Sequence, residues 1–180
     1  MRILGIDPGS QATGFGVVKR DGTAVAHVAH GTLRPPRSAP LAHRLAFLQQ
    51  AMAGVVAEYA PDVVVIEEVF VAASPRSALV LGQARGALLA GLGSAGTVVR
   101  EVSARAVKQA VAGNGNASKE QVWYMLRAIL EIEEAAPKST LDASDALAVA
   151  VCHAHRLNHG GKPEHKDWAS FIRANPDRVG

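Results

Sequence analysis

Hydrophobic and polar residues fall into blocks along the chain, and the period of each block assigns its element. Residues 2–7 carry the apolar run Ile3, Leu4 and Ile6 and end on Asp7, the pattern of a short strand covered on both faces. Pro8-Gly9 then forces a turn, because Pro fixes φ and Gly tolerates φ > 0. Extended runs over 13–20 and 24–33 follow, joined by Asp21-Gly22, a strong hairpin signal. Arg34-Pro35-Pro36-Arg37-Ser38-Ala39-Pro40 breaks the pattern. From 41 to 59 the period becomes helical, with Leu41, Leu45, Leu48, Met52, Val55, Val56 and Tyr59 recurring at three and four. Val63-Val64-Val65-Ile66 is β-branched and too short for a helix, and it ends on Glu67-Glu68.

Residues 76–92 read as an Ala/Leu-rich helix. Its Gly82, Gly86 and Gly91 cost helix propensity, which points to close packing against another element. A strand is expected over 97–102, and Ser103 caps a short helix to about 112. After the loop at 113–116, Ser118-Lys119-Glu120-Gln121 matches a capping box and opens a helix to about 130. Pro137-Lys138-Ser139-Thr140 introduces a last helix, about 142–157. The order βββαβαβααα predicts an α/β fold, a mixed sheet with helices on its faces. The tail from Asn158 is polar, with Trp168 and Phe171 suited to docking a short helix.

Composition narrows the class. The length of 180 residues suits one domain, here 1–157 followed by a polar tail, 158–180. Aromatics make up only 4%, so the core must be aliphatic. A net charge of +3 fits a polyanionic partner without specifying one. The single cysteine, Cys152, excludes an internal disulfide and a Cys-based zinc site. Asp7 comes too early for a secretory apolar region, and no apolar run reaches membrane-spanning length, so a reducing cytoplasmic location is expected.

The chemistry is in the acids. An isolated Asp-Pro-Gly is usually a capped turn, but Asp7 ends a buried strand, and Glu67 or Glu68 ends another. Leu141-Asp142-Ala143-Ser144-Asp145 places two carboxylates at i and i+3, neighbours on one helix face, beside a buried stripe of Ala143, Leu147, Ala150, Val151 and Ala154. Two acids in a first helical turn are common where the dipole favours negative charge, so that pair alone says little. Four carboxylates converging without a basic residue among them would repel one another. Hard divalent cations satisfy such clusters, and two Mg²⁺ or Mn²⁺ ions can activate water and stabilise the leaving oxygen of a phosphodiester. His153 shares the face of Asp142 but lies roughly 16 Å along the helix axis, too far to complete one metal shell. Cys152 reads as a small apolar core residue.

GIDPGSQATGFGVV, IEEVF, SALVLGQARG and LDASDALAVA, in this order and spacing, resemble the RuvC-type Holliday-junction resolvases, endonucleases of the RNase H-like fold. The resemblance spans about Met1 to His155. It implies an RNase H-like five-stranded mixed sheet and an active site of Asp7, Glu67, Asp142 and Asp145. It selects Glu67 over Glu68, which alternation alone does not phase. It also implies metal-dependent hydrolysis giving paired nicks in a four-way DNA junction, in recombination and repair. The implied partners are a second copy in a homodimer and the RuvA–RuvB branch-migration complex, and the implied cofactor is Mg²⁺ or Mn²⁺, two ions per site. Lys108 and Lys119 match basic positions near the acids. Phe70 matches a residue that stacks on a base, and Arg76 and Arg85 are candidate phosphate contacts. The helix 76–92 is the candidate dimer surface. Two rival readings start from the same residues. GIDPGS also resembles the phosphate loop of actin-like ATPases, which need two such domains where this chain holds one. A purely binding module has no use for four acids beside DNA.

Overall fold

The computed structural model describes residues 1–68, 74–132 and 141–158. Phe70, the 137–140 lead-in and the tail bearing Trp168 and Phe171 lie outside the described residues. The elements run β1 (Arg2–Asp7), β2 (Thr13–Asp21), β3 (Ala24–Leu33), α1 (Leu41–Tyr59), β4 (Val63–Glu68), α2 (Pro75–Ser94), β5 (Val99–Ser103), α3 (Ala104–Ala112), α4 (Lys119–Leu130) and α5 (Leu141–Asn158). This is the order expected from the sequence.

Local chemistry explains most boundaries. Gly22, at φ +56°, turns the chain between β2 and β3, where Asp21 pairs with Ala24. Ser74 caps α2 by accepting from the Ser77 N–H, with Pro75 at the first helical position. Ser103 caps α3 in the same way, and Gly113, at φ +70°, ends it. The capping box at α4 is complete, the Ser118 side chain accepting from Gln121 N–H while the Gln121 side chain accepts from Ser118 N–H.

The five strands form one sheet in the order β3-β2-β1-β4-β5. β1 pairs antiparallel with β2 and β2 with β3, whereas β1–β4 and β4–β5 are parallel. The sheet is therefore mixed and covered by helices on both faces, as an α/β fold requires. Its two faces are packed differently. On one, Leu4, Ile6, Val17, Val64 and Ile66 interlock with Leu48, Met52 and Val55 of α1 and Leu88 and Leu92 of α2. Each large aliphatic side chain buried there contributes about 1.5–3 kcal/mol relative to exposure.

The other face receives α5. Its residues are buried almost all round, from Ala143 to Cys152 except the partly exposed Asp145, rather than along the single stripe expected. The reason is that α5 is the middle layer, with the sheet below it and α3 and α4 above. It also lies unusually close to the sheet. A Cβ at Gly5 would stand 2.1 Å from the Ala146 carbonyl oxygen, one at Gly14 1.9 Å from the Asp142 carbonyl oxygen, and one at Gly16 2.7 Å from the Leu147 Cα. Only glycine lets helix backbone rest on strand backbone in this way. The glycines of α2 are a different case. Among the described residues nothing stands within 4 Å of a Cβ at Gly82 or Gly86, contrary to the tight packing expected of them, and at Gly91 a Cβ would meet the side chain of Gln49. Among the described residues, no helix is long and apolar enough to cross a membrane.

Candidate active site

Strand alternation now phases the acids. On β1, Ile3 belongs to the α5 side and Leu4 and Ile6 to the α1–α2 side, so Asp7 points to the α5 side. On β4, Val63 and Val65 belong to the α5 side and Val64 and Ile66 to the other, so Glu67 shares the face of Asp7 and Glu68 does not. Ile6 pairs with Ile66, which leaves Asp7 and Glu67 side by side where the two parallel strands end. Helix α5 starts above Gly14, the partner of Asp7 across β1 and β2, and so carries Asp142 and Asp145 to the same place.

Asp7, Glu67 and Asp145 line one cavity of about 280 Å³. Lys108 of α3 and Lys119 of α4 complete its polar lining, over a floor of Ala104, Val122 and Ala148. Asp142, one turn before Asp145, stands outside that lining but near enough for its charge to act on Asp7.

The electrostatics are those of concentrated negative charge withdrawn from water. Burial, then the charges of Glu67 and Asp145, with a smaller push from Asp142, raise the Asp7 carboxyl from 3.8 to about 8 against the opposing pull of Lys119. Burial and then Asp145 also raise Glu67, opposed by Lys119 and Lys108. Burial alone would lower Lys119, but its hydrogen bond to Asp145 and the charges of Asp145, Asp7 and Glu67 outweigh that and raise it.

Two basic side chains sit on these acids, contrary to the expectation of a cluster without them. The Lys119 ammonium donates to Asp145 Oδ2, and Arg34 Nη2 lies 3.7 Å from Asp142 Oδ2. They come from the end of β3 and the start of α4, segments whose spatial relation to α5 no periodicity encodes. Arg85 is not brought to the cavity. It donates to Glu101 and, through Nε, to the backbone carbonyl of Glu67 at 3.3 Å. Arg76 is exposed in the first turn of α2. Cys152 is buried, its thiol donates to the Ala106 carbonyl at 3.6 Å, and burial pushes it up to about 11, consistent with an inert core residue.

Among the described residues, no three His, Cys, Asp or Glu side chains meet at a single point as they stand. The donor set nevertheless fits a hard divalent cation. It consists of carboxylate oxygens, and burial with the neighbouring acids pushes the Asp7 carboxyl up to about 8 even against the pull of Lys119, a crowding of negative charge that a bound cation would relieve. Among the described residues, transition-metal ligands such as Cys or His do not line the cavity.

The profile of the crossover junction endodeoxyribonuclease RuvC family matches residues 3–153, most of the chain. The chain belongs to the RuvC family. It is 47% identical over 153 residues to the crossover junction endodeoxyribonuclease RuvC of Trichlorobacter lovleyi, covering 85% of this chain and 84% of that protein. It is 49% identical over 155 residues to the RuvC of Ralstonia pickettii, covering 86% and 84%. In structure it matches T. thermophilus RuvC in complex with Holliday junction substrate, with a TM-score of 0.81 and 34% identity over 89% of this chain and 96% of that one. The yeast mitochondrial Holliday junction resolvase Ydc2 matches at a TM-score of 0.68 with 14% identity, a likeness of fold. The RNase H-like α/β fold expected of a RuvC-type chain is therefore the fold observed.

Proposed function

We propose that this chain is a metal-dependent crossover junction endodeoxyribonuclease that resolves four-way DNA junctions by paired symmetric nicks, in homologous recombination and repair. The observation that carries the reading is the convergence of Asp7, Glu67 and Asp145 on one cavity that Lys108 and Lys119 also line. Relatives that carry this activity in their names, at almost half identity over most of the chain, support it.

In this reading Asp7, Glu67, Asp142 and Asp145 hold Mg²⁺ or Mn²⁺, two ions per site. When bound, the ions supply activation of the attacking water and stabilisation of the leaving oxygen. The chain's own groups do the rest. The acids would hold those ions and, being anionic themselves, leave direct contact with the reacting phosphate to positive groups. Lys108 and Lys119 face that phosphate with positive charge, and the first turn of α4 adds backbone N–H groups. The bond from phosphorus to the 3′ oxygen breaks, the water oxygen joins phosphorus, and a proton passes to the leaving oxygen. The products are a 5′-phosphate and a 3′-hydroxyl.

One site cuts one strand, so paired nicks call for a homodimer with isologous contacts. We assign its surface to α2, where Gly82 and Gly86 face open space. Phe70, which follows β4, is assigned to stacking at the crossover, and Arg76 to a phosphate. Arg85, tied to Glu101 and the Glu67 carbonyl, is a brace for the end of β4 unless DNA displaces it. The nuclease domain is residues 1–157, with 158–180 a separate tail. The enzyme works in the cytoplasm with the RuvA–RuvB branch-migration complex. The test compares a synthetic four-way junction with a linear duplex of the same sequence, each with Mg²⁺ or Mn²⁺. Symmetric, ligatable nicks in the junction alone are expected. Equal cutting of both substrates, or none with any divalent ion, would contradict the reading.

A further inference from the structure

The end of β3 carries a basic residue with no part in the reaction described above. Leu33 pairs with Thr13 at the start of β2, and the next residue of β2, Gly14, pairs with Asp7. Across the end of the sheet the order is therefore Glu67, Asp7, the Thr13–Gly14 start of β2, and then Arg34. Lys108 and Lys119 line the cavity with Glu67, Asp7 and Asp145, whereas Arg34 meets Asp142, the acid outside that lining. Basic side chains thus stand on both sides of the acids.

The placement of Arg34 is well defined. It precedes Pro35-Pro36, so its backbone is confined to extended conformations and the next two φ angles are fixed. Pro35 is buried, which anchors this stem to the fold, while the Arg34 side chain remains 49% exposed. The 3.7 Å contact with Asp142 is too solvent-accessible to be an important brace, since exposed pairs contribute about 0–1 kcal/mol. A guanidinium, by contrast, offers a planar fork of donors matched to phosphate oxygens. A scissile strand passing over the acids must carry phosphates on both sides of the reacting one.

We infer that Arg34 contacts a backbone phosphate of the DNA strand on the β2–β3 side of the acids, opposite the stretch faced by Lys108 and Lys119. The inference rests on the junction-nuclease reading. The experiment measures junction affinity against monovalent salt, without divalent ions so that no strand is cut, for wild type, Arg34→Gln and Arg34→Lys. Removing one protein–phosphate pair makes the slope of log K against log salt shallower by about 0.9 for every engaged subunit. Arg34→Gln should show that change with severalfold weaker binding at moderate salt, and Arg34→Lys should restore the slope. A wild-type slope in Arg34→Gln, whatever happens to cleavage, would overturn the inference and leave Arg34 as a counter-ion of Asp142. A wild type that binds no junction would instead sink the junction reading, and this inference with it.

Discussion

The two faces of the sheet are held by opposite means. Toward α1 and α2 the sheet presents large side chains that interlock with large side chains. Toward α5 it presents glycines among its aliphatic side chains, and the helix rests backbone on backbone at Gly5, Gly14 and Gly16. The first arrangement can repack around a missing methyl group, because neighbouring rotamers adjust. Ile3, Val18, Val63 and Val65 also pack on the α5 face, but at the three glycines there is no side chain to adjust, and those contacts fix the height and register of α5 over β1 and β2. The acids depend on that register. Asp7 comes from the sheet, Asp142 and Asp145 from the helix, and the carbonyl of Asp142 lies over the glycine that pairs with Asp7. The stability of this molecule is shared by both faces, whereas the geometry of its candidate site belongs to one.

Substitutions separate the two. Gly14→Val places side-chain atoms where the Asp142 carbonyl stands and must lift the first turn of α5. A displacement near 1 Å costs about 100-fold in rate, so cleavage of a junction should fall at least that far. Junction binding should survive, as a gel-shift assay would report. Leu48→Ala opens a cavity on the α1–α2 face and should cost about 3 kcal/mol in denaturant unfolding. Its cleavage rate well below the melting temperature should stay within a few-fold of wild type. An equal fall in cleavage in the two variants would erase the distinction between the faces.

A smaller effect concerns charge at the α5 face. The Asp7 carboxyl is raised to about 8 in the folded chain against 3.8 for an unhindered one. Between those values the folded chain keeps a proton that the unfolded chain has released. Stability without metal should therefore fall as pH rises through that window. Asp7→Asn removes this dependence. At pH near 8.5 in a chelator its melting temperature should exceed wild type by roughly 3 °C, a gap that closes toward pH 4. Added Mg²⁺ should stabilise wild type more than the variant, because the ion binds the folded acids. The smallest effect tests the exposed glycines. Gly82→Ala should stabilise α2 by about 0.5–1 kcal/mol in a monomer, since a Cβ there meets nothing. If α2 is the homodimer surface, the same change should instead weaken dimerisation, measured by sedimentation.

Much of the fold is legible in the sequence. The period of the apolar residues, together with cap and breaker residues for α3, α4 and α5, locates all ten described elements. Caps are equally plain at Ser103 and Ser118, where local hydrogen bonding suffices. The strand expected at 97–102 is Val99–Ser103 in the structure, since the start of an edge strand lacks a burial boundary. The site is half legible. Strands ending on Asp7 and Glu67 and a helix opening with Asp142 and Asp145 are local signals. The choice of Glu67 over Glu68 needs either the motif or the packing phase of Val65. Long-range register is not written locally. Gly5, Gly14 and Gly16 give no sign of bearing a helix, and Gly82 and Gly86 give a misleading one, because a glycine's purpose lies in what approaches it. Arg34 on Asp142 is hidden for the same reason, whereas Lys108 and Lys119 near the acids are read from the motifs.

The most direct test of the acid cluster as the active site is cleavage of a synthetic mobile four-way junction by wild type and Asp7→Asn, each with Mg²⁺ or Mn²⁺. Paired symmetric nicks from wild type, ligatable and absent in a variant that still folds and binds the junction, are the predicted result. Undiminished cutting by Asp7→Asn would contradict the assignment.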